Sequence, residues 1–517
     1  MTDSRPNILF ITLDQLRADI FFDLVDNDPA FETMRSLAAD GVSFRKNFCA
    51  ITPCGPSRAS LLTGLYAMNH RSVRNGTPLA ADHTNLALEL RKAGREPLLF
   101  GYTDATPDPR GLDPNDPSLT DYEGLLPGFT EVARMRADDN ADWRRYLIAL
   151  GYDAPDAASI QVPQSPDPSR DARINDPALF HRDYSETAYL TDQLLNHLKL
   201  LGDKSWSVHL SYIKPHPPFA AAAPYNTFCT PEAAPKPAHH GSLDAEMAVH
   251  PVFKAFFSKA GQNYQTQLPG TDAHTLTPEQ TQEIRAVYIG LIKELDDHIG
   301  RIIAYLKETG QYDRTLIVLT ADHGEMLGDH LMWGKESVYE RAFHTPMIIR
   351  DPKRRQTAGR SVEQITQSID VVPTILDWLD LKIPYQLDGQ SLLPLLTDQD
   401  ASSLRDYAYM ELDFANPART SIYETKFGLP FNQLNVCILR EHQYKYIHFN
   451  GGLPPLLFDM DADPNEMTNL AEQPEHRDTI ARMTRALLDH RMTYADRRLS
   501  GYHATADGMR HIDDRTS

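Results

Sequence analysis

The sequence predicts an α/β protein: a large, mostly parallel sheet sandwiched by helices, followed by a smaller antiparallel sheet and a closing helix. Two apolar runs, Asn7 to Leu13 and Thr315 to Thr320, lack the polar alternation of a solvent-facing strand, so each reads as a central strand buried on both faces. Strand and helix patterns alternate from Asn7 to Tyr102. Beyond about Arg405 the pattern changes to short strands separated by turns.

In chain order, Asn7 to Gln15 ends in a carboxylate, which sets Asp14 at the carboxyl end of a strand, where open α/β sheets bind ligands. Phe31 to Ala39 patterns as a helix stopped by Gly41, and Val42 to Phe44 as a short strand leading to a loop at Cys54. Thr84 to Ala93 reads as a helix with Gly94 just beyond it, then Pro97 to Tyr102 as a strand. From about Thr103 to Arg182, Pro, Asp and Gly interrupt periodicity, which predicts a long ordered excursion across the rim of the sheet. A helix from about Tyr184 to Leu201, closed by Gly202, leads to a strand from Trp206 to Tyr212 and to a proline-rich loop, Lys214 to Phe219, that presents His216.

Thr277, Pro278 and Gln280 have the spacing of an N-cap, N1 and N3 in a capping box, opening a helix to about Leu306. The strand Thr315 to Thr320 then delivers Asp322, His323, Gly324 and Glu325 as the first strand delivers Asp14. Pro346 to Arg350 reads as a strand and Ile369 to Leu381 as a helix with Pro373 in its first turn. Short strands at Val436 to Leu439, Tyr444 to Ile447 and Leu457 to Asp459 precede a helix from about Pro474 to His490. The tail 500–517 is polar and lacks a core pattern, as a frayed end or one tied to a neighbouring subunit does. The expected division is a catalytic α/β domain over 1–404, a small sheet and helix over 405–499, and the tail.

The chain has 517 residues and a formal net charge of -20, which argues against a nucleic-acid binder but not against a small anion held by a few local cations. No apolar run approaches the length of a bilayer span, and Met1 to Pro6 passes straight into a strand-like run without room for a signal peptide, so a cytoplasmic location is expected. Cys49, Cys54, Cys229 and Cys437 are too few and scattered for a disulfide framework, and no C-x-x-C pair suggests structural zinc.

Cys54 has neighbours that argue for chemistry. Pro53 and Pro56 pin the backbone, Gly55 allows a close approach, and Arg58 adds a fixed positive charge in the first turn of a short helix, a place that suits an anion. Asp14, Asp322 and His323 come from two strand ends on one sheet edge and can converge on a cation. A strand-terminal Asp alone is as readily a turn or capping residue; the pairing tells against that. The His favours manganese, iron or zinc over an all-oxygen calcium cage. A lone His is more often structural than catalytic, but His216 between rigidifying prolines at a strand end favours catalysis.

Cys54-x-Pro56-Ser57-Arg58-x-x-x-Leu62-Thr63-Gly64 resembles the type I sulfatase signature of the alkaline phosphatase superfamily, whose Cys is oxidised by a dedicated enzyme to formylglycine. Leu457-Phe458-Asp459, Asp463-Pro464-Asn465-Glu466 and Asn469-Leu470-Ala471 resemble that family's C-terminal motif. Ordinary sulfatases carry paired Asp at the first strand end and Asp-Asn at the later one, holding calcium; here the pairs are Asp14-Gln15 and Asp322-His323. With Leu65-Tyr66-x-Met68-Asn69-His70, Gly101-Tyr102-Thr103-x-x-Thr106-Pro107-Asp108-Pro109-Arg110 and Pro215-His216-Pro217-Pro218-Phe219, they closely resemble the bacterial phosphonate monoester hydrolases, which are also phosphodiesterases.

The resemblance implies an alkaline phosphatase-like fold, with a large mixed, mostly parallel sheet. It implies Asp14, Asp322, His323 and modified Cys54 as ligands of one divalent ion, manganese first and iron, zinc or calcium after it. It gives catalytic roles to Cys54, Arg58, His216 and Lys335, and places Gln15, Asn75, Tyr102 and Asp104 around the substrate. Asp104 stands where a Thr is expected, and a carboxylate there would repel an anionic substrate or favour a cationic leaving group. The implied partners are a small anionic ester, a formylglycine-generating enzyme and further copies of the chain, as a homotetramer, with no nucleic acid or membrane. The implied reaction is hydrolysis of phosphonate monoesters and phosphodiesters, with promiscuity towards sulfate and phosphate monoesters. An arylsulfatase or alkyl sulfatase with the same machinery is the alternative. A lipid head-group transferase would need membrane attachment and a Thr or Ser nucleophile, and a non-catalytic binding protein would keep Cys54 as a thiol.

Overall fold

The computed structural model describes residues 5–137, 139–258, 265–398, 401–496 and 498–512. An eight-stranded sheet is formed by β1 (Asn7–Asp14), β2 (Val42–Phe48), β3 (Pro97–Gly101), β4 (Thr130–Arg134), β5 (Ser207–Pro215), β6 (Thr315–Ala321), β7 (His344–Arg350) and β8 (Arg360–Gln367). Their order is β4-β3-β5-β1-β6-β7-β2-β8. Among these strands β7 alone runs against the rest, so the sheet is mixed and mostly parallel, as expected.

Every residue of β1 and β6 is buried, because helices cover both faces of the sheet. Alternate side chains serve opposite layers. Leu9, Ile11 and Leu13 pack with Leu194 of helix Glu186–Leu201 and Ile292 and Ile299 of helix Pro278–Glu308. Ile8 and Phe10 join the core that holds Leu62 of helix Cys54–Thr63 and Ile375 of helix Val371–Trp378. The capping box forms as the sequence predicts: Gln280 N donates to Thr277 Oγ1 at 3.2 Å and Thr277 N to Gln280 Oε1 at 2.9 Å.

Several elements depart from the sequence expectation. The excursion from Thr103 to Arg182 contains edge strand β4 and helix Ala141–Ala149. β4 reads Thr-Glu-Val-Ala-Arg with Ala133 as its only buried residue, so no apolar run marks it. Helix Ala18–Asn27 starts at Arg17 without a side-chain cap, which removes the start signal. β8, another sheet edge, opens with Arg360 and Ser361 at the surface and has only weak alternation.

A second sheet is antiparallel, with β9 (Ala408–Asp413), β10 (Asn435–Arg440), β11 (Tyr444–Phe449) and β12 (Leu456–Asp459) in the order β12-β11-β10-β9. Helix Arg477–Thr493 covers one face through Met483 and Leu487. The other face contributes Met410, Ile438 and Phe458 to a core shared with Phe48, Met326 and Phe343. Glu411 N donates to Ala50 O at 2.9 Å, so the small sheet buttresses the segment that leads into Cys54. The polar tail forms a hairpin, β13 (Tyr502–Thr505) and β14 (Gly508–His511), with Tyr502 and Met509 exposed. Residues 1–4 and 513–517, on which part of the leader and tail expectations fell, lie outside the described residues. Among the described residues no helix is long and apolar enough to cross a membrane.

The C-terminal motif is anchored by charge. Lys445 on β11 is fully buried and its Nζ donates to Glu466 Oε1 at 2.6 Å. Removing one partner leaves the other as an uncompensated buried charge. Glu466→Ala is therefore expected to lower stability by about 3–5 kcal/mol in urea unfolding, and the further change Lys445→Met to restore much of it.

Candidate active site and metal centre

Four neighbouring strands, β3, β5, β1 and β6, end on the same edge, and their register assembles the site. Leu13 pairs with Ala321, so Asp14 and Asp322 are the next residues on adjacent strands. Asp14 itself pairs with Pro215, one residue before His216. β3 leads into Tyr102 and Asp104. Helix Cys54–Thr63 points its N-terminus at this edge, is buried at all ten positions and starts with Cys54 itself. An N-terminus of this kind favours negative charge.

Arg58 organises the centre. Its Nε donates to Asp322 Oδ2 at 2.9 Å, its Nη2 to Asp14 Oδ2 at 3.0 Å, and its Nη1 to Ser211 Oγ at 2.7 Å and Tyr102 O at 3.2 Å. The guanidinium carbon sits 3.9 Å from the centre of the Tyr102 ring. The Tyr102 hydroxyl donates to Asp14 Oδ2. Tyr102, which the sequence expectation set among substrate-binding residues, contacts Arg58 and Asp14 here. Arg58 and all of its named partners except Tyr102 O come from side chains separated widely in sequence.

Asp14, Cys54, Asp322 and His323 each place one donor atom within 4.8 Å of the others. His323 Nδ1 lies 2.9 Å from Gly324 O, and since a carbonyl only accepts, Nδ1 carries the hydrogen. Nε2 is left as a lone pair, 3.2 Å from Cys54 Sγ, 3.8 Å from Asp14 Oδ1 and 3.7 Å from Asp322 Oδ2. Asp14 Oδ1 is buried and accepts no hydrogen bond. Two buried carboxylates share the one charge of Arg58, so the set has a lone pair, an orphaned oxygen and spare negative charge converging on one point. It fits a divalent ion with mixed nitrogen and oxygen ligands. Gly324 is required here: a Cβ on it would fall 2.0 Å from Arg341 O.

Cys54 as a thiol is not activated: burial pushes its ionisation well above the ordinary range and Asp14 adds to the shift. Lys335 Nζ donates to Gln15 Oε1 at 2.6 Å and lies 3.0 Å from His216 Nε2. Burial acts against its charge, but Cys54 and Asp14 outweigh it and raise its pKa. His216 Nδ1 lies 2.6 Å from Pro217 O, so it carries the ring hydrogen and Nε2 accepts from Lys335. Burial, and then Lys335, push His216 down to about 3. The imidazole is neutral and Lys335 is the charged donor of the pair.

Gln15 has a left-handed φ of 66°. That turn lets its backbone N donate to Asp322 Oδ1 at 3.0 Å while its amide bonds Glu325 and Lys335. Asn75 Oδ1 accepts from Gly55 N at 3.0 Å. Asp104 lies over the same glycine, and a Cβ on Gly55 would stand 3.1 Å from Asp104 O and 3.3 Å from Asn75 Oδ1. Asp104 is buried, with Oδ1 unpartnered, and burial pushes its carboxyl well above the usual range while Arg58 acts against this. The shift disfavours the charged form of Asp104 and so weakens the repulsion expected at that position.

A cleft of about 630 Å³ opens beside Pro53 and Lys335, with Arg74, Asn75, Trp333, Phe256 and Arg419 on its walls. Sequence reasoning missed Ser211, Glu325, Arg74 and Arg419. Glu325 stood beside the recognised Asp-His pair, but its role depends on a loop that returns Gly334 N to its carboxylate. Arg74 and Arg419 are ordinary surface cations until the fold sets them at one cleft.

Residues 6–381 match the family model for sulfatases, and residues 328–493 match the model for the C-terminal part of N-sulphoglucosamine sulphohydrolase. The chain belongs to the sulfatase family. Within it, the chain is 37% identical to the multifunctional alkaline phosphatase superfamily protein PehA of Trinickia caryophylli, over 98% of this chain and 99% of that protein. The solved phosphonate monoester hydrolase SpPMH from Silicibacter pomeroyi superposes with a TM-score of 0.93 at 46% identity, over 98% of this chain and 99% of that one. The phosphonate monoester hydrolase of Agrobacterium radiobacter gives 0.90 at 38% identity, over 99% and 100%. The sulfatase-family chain described here therefore has the alkaline phosphatase-like architecture throughout its length.

If the four converging groups hold an ion, Asp322→Ala and His323→Ala should each lose bound metal and turnover together. Metal content by plasma mass spectrometry alongside steady-state rates checks this, and a variant that loses one property and keeps the other would place the centre elsewhere.

Proposed function

We propose that this hydrolase of the sulfatase family cleaves phosphonate monoesters and phosphodiesters, using a formylglycine derived from Cys54. The observation that carries the reading is the Asp14-Gln15 and Asp322-His323 pairing around Cys54, in a chain that resembles two phosphonate monoester hydrolases over nearly its full length. Activity towards sulfate and phosphate monoesters accompanies it, because these too are tetrahedral oxyanion esters. The rival is an aryl or alkyl sulfatase, favoured by the sulfatase family model itself.

Asp14, Asp322, His323 and residue 54 would hold the ion, manganese in our reading. Bound there, it would withdraw charge from a substrate oxygen and ease ionisation of the attacking hydroxyl. Position 54, as a hydrated aldehyde, supplies two hydroxyls on one carbon: one attacks, and loss of the other's proton re-forms the aldehyde and releases the acid. The residues around it do the rest. Arg58 fixes both carboxylates. Gln15 and His216 aim Lys335, whose ammonium can hold a non-bridging oxygen or protonate the departing alkoxide. Asn75 fixes the backbone at Gly55, and Arg419 and Arg74, the latter paired with Glu336, line the cleft.

Maturation by a formylglycine-generating enzyme, a cytoplasmic location and assembly into a homotetramer are part of the proposal. Four free cysteines support a reducing compartment, and the exposed Tyr502 and Met509 of the C-terminal hairpin support association; light scattering tests the latter.

Mass spectrometry of the peptide spanning Cys54, from protein made in its native host, is expected to show the aldehyde in place of the thiol. Parallel kinetics on a phenyl phosphonate, a phosphodiester and an aryl sulfate should rank the sulfate last in kcat/KM; a sulfate preference selects the rival. Lys335→Ala should slow esters with poor leaving groups by about 10²–10⁴ and activated aryl esters much less, the pattern of a lost proton donor.

A further inference from the structure

The loop that begins with Asp322 and His323 also carries one member of a second cluster of metal-ligand side chains. His240, Glu246 and His330 bring one donor atom each within 4.8 Å of the others. Glu246, on helix Leu243–Val249, and His330 are buried, and the His240 side chain is 21% exposed. The carboxylate faces a different imidazole with each oxygen: Oε1 is 3.0 Å from His240 Nδ1 and Oε2 is 3.1 Å from His330 Nδ1.

The protons on these rings can be assigned from their outer contacts. His240 Nε2 lies 2.8 Å from Met467 O and His330 Nε2 lies 2.9 Å from Asn465 O. A carbonyl only accepts, so each Nε2 carries a hydrogen, and a neutral imidazole then presents a bare lone pair at Nδ1. Two lone pairs aimed at one carboxylate repel it unless a positive charge sits among them. A proton could serve at His330, whose Nδ1 is aligned for a hydrogen bond to Glu246. At His240 a proton is less well placed: Nδ1 is buried and approaches Oε1 at 3.0 Å without the alignment of a hydrogen bond, and that oxygen already accepts from His240 N at 2.6 Å. An ion requires no such alignment, only converging lone pairs.

We propose that His240 Nδ1, Glu246 and His330 Nδ1 form a second metal site, which holds a divalent cation of the zinc type in a structural role. Ligating histidines ordinarily donate their other N–H to a carbonyl or carboxylate, which is the pattern both rings show. Ligands about 2.1 Å from a tetrahedral ion stand about 3.4 Å apart, close to the nitrogen–oxygen distances here. His330 is held in place by its left-handed φ of 52° and by stacking on Tyr339 with ring centres 3.7 Å apart. The site ties together segments distant in sequence: His330 N donates to Ala238 O at 2.7 Å, and both outer carbonyls belong to the C-terminal motif region. It would clamp that motif to the loop carrying the catalytic pair without touching substrate.

The test loads chelator-treated full-length protein with zinc and counts metal per chain by plasma mass spectrometry. Wild type should hold one equivalent more than His240→Ala and one more than Glu246→Gln, and zinc should raise the thermal midpoint of wild type more than that of either variant. His240 is partly exposed, so its removal leaves the core filled. In an Asp322→Ala/His323→Ala background one equivalent should remain and disappear when His240→Ala is added, which reads this site independently of the first. Equal zinc in wild type and His240→Ala would overturn the proposal, and would mean that protons alone supply the charge between Glu246 and the two rings.

Discussion

A single buried guanidinium holds the catalytic edge together. Asp14 and Asp322 end adjacent parallel strands, which lie about 4.8 Å apart in any sheet, and two carboxylates that close repel each other strongly away from water. Arg58 bonds both and uses its remaining N–H groups on Ser211 and the Tyr102 carbonyl, with the Tyr102 ring beneath it. A charge buried this completely is tolerable only when paired and saturated with hydrogen bonds. A lysine could not make the planar fork that spans two strand ends. This requirement explains why helix Cys54–Thr63 is sunk into the core along its whole length: it must carry Arg58 between the strands, and in doing so it brings position 54 to their ends.

The balance of charge left over sets the chemistry. Arg58 offsets one of the two carboxylates, and the orphaned Asp14 oxygen and the His323 lone pair mark where a second cation belongs. Lys335, bonded to Gln15 and beside the neutral His216, is held charged by Cys54 and Asp14 and lines the cleft. The arrangement thus has one cation, Arg58, bound to both carboxylates and a second, Lys335, at the edge of the cleft. Buried charged and ligand-type groups recur at Lys445 with Glu466 and at the His240, Glu246 and His330 cluster.

Much of this was legible beforehand, for identifiable reasons. β1 and β6 announced themselves because strands buried on both faces must be continuously apolar, and the helix at Pro278 because its capping box is a local motif. Asp14, Asp322 and His323 could be singled out because they end or directly follow β1 and β6, and Cys54 and Arg58 because they share one contiguous motif; the fold brings these residues together. β4, β8 and helix Ala18–Asn27 were not, since edge strands carry polar residues and an uncapped helix gives no start signal. Arg74, Arg419 and Ser211 carry no local signal at all; they gain meaning only by what faces them.

The sequence by itself determined the buried strands, the carboxylates and imidazole at their ends, and the Cys54 segment, because these rest on periodicity and on motifs contiguous in the chain. Only the tertiary structure decided what each group does. Register put Asp14 beside Asp322 and Pro215, set Tyr102 against Arg58 and Asp14, placed charged Lys335 beside a neutral His216, and buried Asp104 so deeply that its carboxyl is driven towards the protonated form. Those outcomes depend on distance, burial and hydrogen-bond direction, none of which is written in the order of residues.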